Sequence, residues 1–150
     1  MRSFDINSIH GPHGRRFILL LLTIILGLST YTHIWNPIGF PTFQTDEGEY
    51  IAHGMHFLKG LGIQESSFYD HPYFGQVFLA AIFRLIGFPG SINPSTSDLH
   101  SIETLYAVPR ILMGVLAVVD TILIYKISEC RYGRKVGFIA SILFAVMPCL

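Results

Sequence analysis

Three carboxylates stand within four residues at Asp46, Glu47 and Glu49, and an acid–imidazole pair follows at Asp70-His71. A carboxylate held at a helix start can take a proton from an attacking hydroxyl as a general base. It can also bind a hard divalent cation through oxygen, and Asp46 is the first ligand such a cation would find here. A structural reading stands beside both: acids in a first helical turn cap the helix and complement its dipole. Asp70-His71 offers a second acid/base or metal-binding pair, or else a cap and a surface histidine. Arg110 could hold a phosphate through paired hydrogen bonds, or anchor a helix by snorkelling. Asp120 falls inside an apolar run, where it is expected to be buried, and an intramembrane carboxylate is a functional candidate by default. His53 and His56 lie three apart, without the i, i+4 spacing and intervening Glu of a zinc-peptidase helix.

The elements that must position these residues are apolar. The 150 residues are 51% hydrophobic and 13% charged, with mean hydropathy +0.49. Soluble domains carry about a quarter charged residues, so the composition points to a membrane class. Ten basic and ten acidic residues give zero net charge, which lends no electrostatic support to a nucleic-acid partner. Cys130 and Cys149 fit no metal or redox spacing, and no disulfide between them is expected.

Residues 1–16 read as a basic, mobile arm with Arg2, Arg15 and Arg16. Residues 17–35 form a first apolar span, about 28 Å long at 1.5 Å per residue. Tyr31 and Trp35 suit its far interface. A cleavable signal peptide is the competing reading; no good small-residue cleavage site follows. Residues 36–104 form a long intermediate loop with two short amphipathic helices, at 46–59 and 74–88. The first has an apolar stripe of Ile51, Met55 and Leu58, with Phe57 beside it, and a glycine stop at Lys59-Gly60. The second is short for a span and reads as interfacial, with a tilted span as the alternative. Residues 89–101 are a Pro/Gly/Ser/Asn-rich loop. Residues 105–127 form a second span, 128–135 a basic turn, and 136–150 the start of a third span. That last run stops before it can comfortably cross, so the sequence is expected to be the N-terminal part of a larger, multi-pass membrane protein.

Charge sets the topology. Arg2, Arg15, Arg16, Lys126, Arg131, Arg134 and Lys135 flank spans on one face, whereas residues 36–104 hold seven acids against Lys59 and Arg84. The positive-inside rule puts the basic face in the cytoplasm and residues 36–104 outside the membrane.

In order, the features are a basic arm, a span, Asp46-Glu47 with Tyr50, Leu58-Lys59-Gly60-Leu61-Gly62, Asp70-His71-Pro72 with Gly75, Arg110 with Gly114, and Tyr132-Gly133-Arg134. From about residue 17 onward this order resembles the N-terminal part of the membrane glycosyltransferases that use lipid-phosphate sugars. It is similar in particular to the protein O-mannosyltransferase and aminoarabinose-transferase group of the GT-C fold. The resemblance implies an all-α membrane protein whose outer loop carries the active site. It implies Asp46 as base for the acceptor, with Glu47 its neighbour in the motif. Asp70 and His71 would lie near the same site, and Arg110 would contact the donor phosphate or play a structural part. The implied donor is a sugar, such as mannose, on a polyprenyl or dolichyl phosphate, and the acceptor a hydroxyl of a protein or lipid-glycan. The chain departs where the mannosyltransferases commonly show His-Pro-Pro-Leu-Gly-Lys. It has His71-Pro72-Tyr73-Phe74-Gly75-Gln76, with no lysine there for a phosphate.

Two readings from other classes compete. A transporter subunit would place Arg110 and Asp120 on a polar pathway and show repeated span patterns. No repeat is visible. A non-enzymatic membrane fragment or accessory subunit would use the acids as caps alone.

Overall fold

The computed structural model describes residues 12–39, 45–62, 73–94 and 98–147. Among them the chain is all-helical, with five helices and no strand: α1 Pro12–Ile34, α2 Thr45–Leu58, α3 Tyr73–Leu85, α4 Leu99–Tyr132 and α5 Arg134–Val146. Two helices, Gly14–Ile34 and Leu99–Tyr132, are long and apolar enough to cross a membrane. The chain divides into two compact units, Met1–Trp35 with Met113–Leu150, and Asn36–Leu112.

The first unit holds α1, the later part of α4, and α5. Pro12 opens α1, so Arg15 and Arg16 are helical and the arm drawn over 1–16 ends earlier. Proline suits that position because the first amide of a helix has no intrahelical acceptor. Two threonines keep α1 apolar in effect. The hydroxyls of Thr23 and Thr30 donate to the carbonyls of Leu19 and Leu26 at 2.9 and 2.8 Å. Each hydroxyl is thereby satisfied inside its own helix.

Small polar residues line the packed seam. Ser29 Oγ and Thr121 Oγ1 are 2.8 Å apart and both buried. Thr32 Oγ1 donates to the Ala145 carbonyl at 2.6 Å. A Cβ on Gly114 would come within 2.6 Å of the His33 carbonyl oxygen, so α4 meets α1 backbone to backbone at this point. The His33 ring stacks on Phe144 with centroids 5.8 Å apart. At the other end, Glu129 accepts from Tyr125 and Arg134, both at 3.1 Å, and lies 3.6 Å from Lys126. These bonds staple the reversal between α4 and α5. Asp120 is exposed on α4 rather than buried. Thr121, one residue on, takes the inward position, and the roughly 100° step between neighbours turns Asp120 off the seam.

The second unit packs α2, α3 and the start of α4 around Ile51, Leu79, Phe83, Phe88, Ile92 and Leu105. Fully burying a phenylalanine such as Phe83 or Phe88 stabilises by about 1.5–3 kcal/mol. Asp46 and Glu47 lie in the first turn of α2, where acids favour the helix. Gly60 stops it. Its φ of 74° is left-handed, and Leu61 N–H reaches back to the His56 carbonyl at 3.1 Å. Ile51 is buried, Met55 and Leu58 pack beside it, and Phe57 is exposed. α3 ends at Leu85, three residues short of the sequence reading. There Phe88 N–H bonds the Phe83 carbonyl at 3.0 Å and the two rings join the core.

α4 begins at Leu99, inside the segment read as loop, and runs 34 residues. At 1.5 Å per residue that is about 51 Å, well beyond a hydrocarbon core of about 30 Å. Its start is set by Asp98, whose carboxylate accepts from Ser101 N–H at 3.1 Å, Ser101 Oγ at 2.7 Å and His100 N–H at 3.3 Å. The Ser101 hydroxyl, with these two amides, holds the Asp98 carboxyl below its ordinary value. Asn93 N–H in turn donates to Ser101 Oγ at 3.2 Å, which ties the preceding loop to the helix start.

Candidate functional site

The acidic start of α2 lies against α4. Tyr106 and Arg110, one turn apart on α4, meet it in sequence. A Cβ on Gly48 would touch Tyr106 Oη at 3.4 Å. Arg110 then closes a fork on Glu47: Nε donates to Oε1 at 2.7 Å and Nη2 to Oε2 at 2.6 Å. Nη1 donates to the Pro37 carbonyl at 3.0 Å, which draws the segment before α2 onto the same guanidinium. The Arg110 side chain is 9% exposed and that of Glu47 32%. Paired donors in a planar fork fit a carboxylate in one orientation, which a lysine cannot reproduce.

The three acids of the cluster therefore have three environments. Glu47 is committed to Arg110. Glu49 Oε2 lies 3.7 Å from His53 Nε2, one helical turn on. Asp46 is exposed, and among the described residues it makes no ion pair. Glu49 is exposed as well, its side chain at 55%, but it faces His53, whereas Asp46 has no such neighbour among the described residues. Arg110, read in the sequence as a phosphate contact or a structural anchor, closes its fork on a carboxylate of the chain itself.

Beside the cluster runs a buried polar pair that sequence reasoning did not join. Gln76 is fully buried in α3, and its Nε2 lies 3.2 Å from Nδ1 of His53 on α2. With Nε2 of His53 facing Glu49, the consistent tautomer carries its proton on Nε2 and accepts from Gln76 at Nδ1. Gln76 Oε1 is buried with no hydrogen-bond partner among the described residues. Small residues make the close approach possible. A Cβ on Gly54 would meet the Phe83 ring at 3.1 Å, and one on Gly75 the Tyr50 ring at 3.3 Å. His53 thus serves an interhelical contact. Among the described residues no group of three or more His, Cys, Asp or Glu could hold a metal ion.

The structure brings together Glu47 and Arg110, with Asp46 beside Glu47 in the first turn of α2. Asp70 and His71, with Pro72, lie outside the described residues. Pro37 is the participant with no sequence signal, because it contributes only a backbone carbonyl. Comparison with protein-family models, curated proteins and solved structures finds no match.

Proposed function

We propose that this chain is the N-terminal part of a multi-pass membrane glycosyltransferase of the GT-C type. It would transfer a sugar from a polyprenyl-phosphate donor to an acceptor hydroxyl on the extracytoplasmic face. The observation that carries this reading is the division of labour at the start of α2. Glu47 is locked by Arg110, and Asp46 next to it is left exposed. A general base must reach its hydroxyl and keep its orientation, and a neighbour clamped to a second helix supplies the orientation. In this assignment Asp46 takes the acceptor proton as the sugar leaves its phosphate. Glu47 and Arg110 are positioning residues. A polyprenyl phosphate leaving group stays in the membrane, so a base just outside the bilayer is where such a reaction needs one. The segregation of acids to residues 36–104 and of bases to the other loops supports that side as outside.

The completeness of the Glu47–Arg110 fork favours one other reading: a structural clamp in a non-enzymatic membrane subunit. Transfer of labelled sugar separates the two. Membranes carrying the whole reading frame that contains this chain are given polyprenyl-phosphate sugars and scored for labelled product. Transfer above that of membranes lacking the protein is expected. Its absence with every hexosyl and pentosyl donor favours the clamp.

A further inference from the structure

The first unit carries a feature of its own, between α1 and α5. α1 and α5 lie parallel. Thr32 meets Ala145 near their C-terminal ends, and Leu21 and Lys135 face one groove near the α5 start. That groove is lined by Leu21, Ile24, Ile25, Leu28, Phe138, Ile139 and Ile142 and by the hydrocarbon stem of Lys135, presents only apolar surface, and has a volume of ≈ 450 Å³. From Leu21 to Leu28 it follows two turns of α1, about 10 Å. Ile24 and Ile139 on its rim are 57% and 59% exposed, so the groove is open along its side.

Charge is placed at one end only. Arg15 and Arg16 precede Leu21 on α1, and Lys135 lies in the first turn of α5. The nearby carboxylate, Glu129, is already engaged by Tyr125, Arg134 and Lys126. It leaves the Lys135 charge uncompensated among the described residues. An apolar trough ending in uncompensated cations matches a ligand with a hydrocarbon chain and an anionic head.

We infer that the α1–α5 groove binds an anionic phospholipid, with one acyl chain along Leu21–Leu28 and the phosphate at Lys135. The inference rests on the membrane placement of α1 and is independent of sugar transfer. A lipid held here packs along the groove between the two helices, and the ammonium of Lys135, at the end of its apolar stem, selects for head-group charge.

The full chain is reconstituted in nanodiscs of phosphatidylcholine alone or doped with phosphatidylglycerol. Lipid retained after transfer to detergent is then read by native mass spectrometry. One phosphatidylglycerol per chain is expected, in preference to phosphatidylcholine. Lys135→Gln is expected to lower that preference roughly fivefold, the factor one basic residue contributes near an anionic surface. Ile139→Trp, which fills the trough and leaves the charge, is expected to remove both lipids. Arg131→Gln, an equal charge change on α4, is expected to leave retention unaltered. Equal retention of the two lipids, or equal losses in the Lys135 and Arg131 variants, would overturn the site. So would a dimer mass that excludes lipid, because a second copy would then occupy the groove. Failure of the chain to enter nanodiscs at all would instead overturn the membrane placement of α1.

Discussion

Arg110 and Glu47 stand 63 residues apart and meet in a two-bond fork, at 2.7 and 2.6 Å, that fixes the first turn of α2 against α4. The guanidinium is almost fully buried and the carboxylate about two-thirds buried. Removing one partner of such a pair strands the other's charge. Arg110→Met is expected to destabilise by about 2–3 kcal/mol, below the value for a fully buried pair because water reaches Glu47. Glu47→Gln combined with Arg110→Met is expected to recover part of that loss. Arg110→Lys keeps the charge but not the fork and should fall between. Thermal unfolding in detergent, followed by helical circular dichroism, gives the full mutant cycle. Additive losses would mean that the two groups do not interact in solution.

The His53–Gln76 contact tests whether an orphaned acceptor costs stability. Gln76→Leu removes the unpartnered Oε1 together with the donor to His53, and is expected to be within about 1 kcal/mol of neutral. His53→Leu leaves the whole buried amide unpaired and is expected to cost about 1–3 kcal/mol. The double leucine variant should be more stable than His53→Leu alone. The same unfolding measurement decides it, and a Gln76→Leu loss as large as that of His53→Leu would show that Oε1 has a partner in solution.

Asp98 gives a pH test. Its carboxyl is held below the ordinary value by the Ser101 hydroxyl and two amides. The folded state therefore binds fewer protons at this group than the unfolded state in the acid range, and stability rises with pH there. The contribution is fully present above the unfolded value of about 4 and is lost as pH falls through the folded value. The midpoint difference between the parent and Asp98→Ala is expected to hold constant from neutral pH to about pH 5, then shrink on further acidification. A difference independent of pH down to about 2 would contradict the charged cap.

These contacts explain what the sequence made legible. The leucine-rich run of α1 and the apolar middle of α4 announce themselves by length and composition alone. The helix boundaries were less visible because local hydrogen bonds set them. Asp98 and Ser101 start α4 within a stretch whose composition reads as loop, although an Asp three residues before a Ser was a usable cap signal. Asp120 looks buried from hydropathy, but which face of α4 packs is decided by Gly114 and Thr121, and that requires knowing where α1 lies. The acidic cluster and Arg110 were each visible as chemistry-bearing residues. Their pairing was not, because no periodicity links positions in two different helices. The His53–Gln76 contact was hidden for the same reason, since sequence spacing relates His53 to His56 on its own helix and not to Gln76 on α3.

The proposed roles, Asp46 as base and Glu47 as positioning residue, are tested most directly by sugar transfer from a polyprenyl-phosphate donor, comparing Asp46→Asn with Glu47→Gln at matched membrane levels. Asp46→Asn is expected to lower the transfer rate by about 10²–10⁴-fold, the range a general base supplies, with the thermal midpoint unchanged. Glu47→Gln is expected to lower rate and midpoint together. Transfer by Asp46→Asn near the parent rate, in a protein that still melts at the parent midpoint, would contradict the assignment.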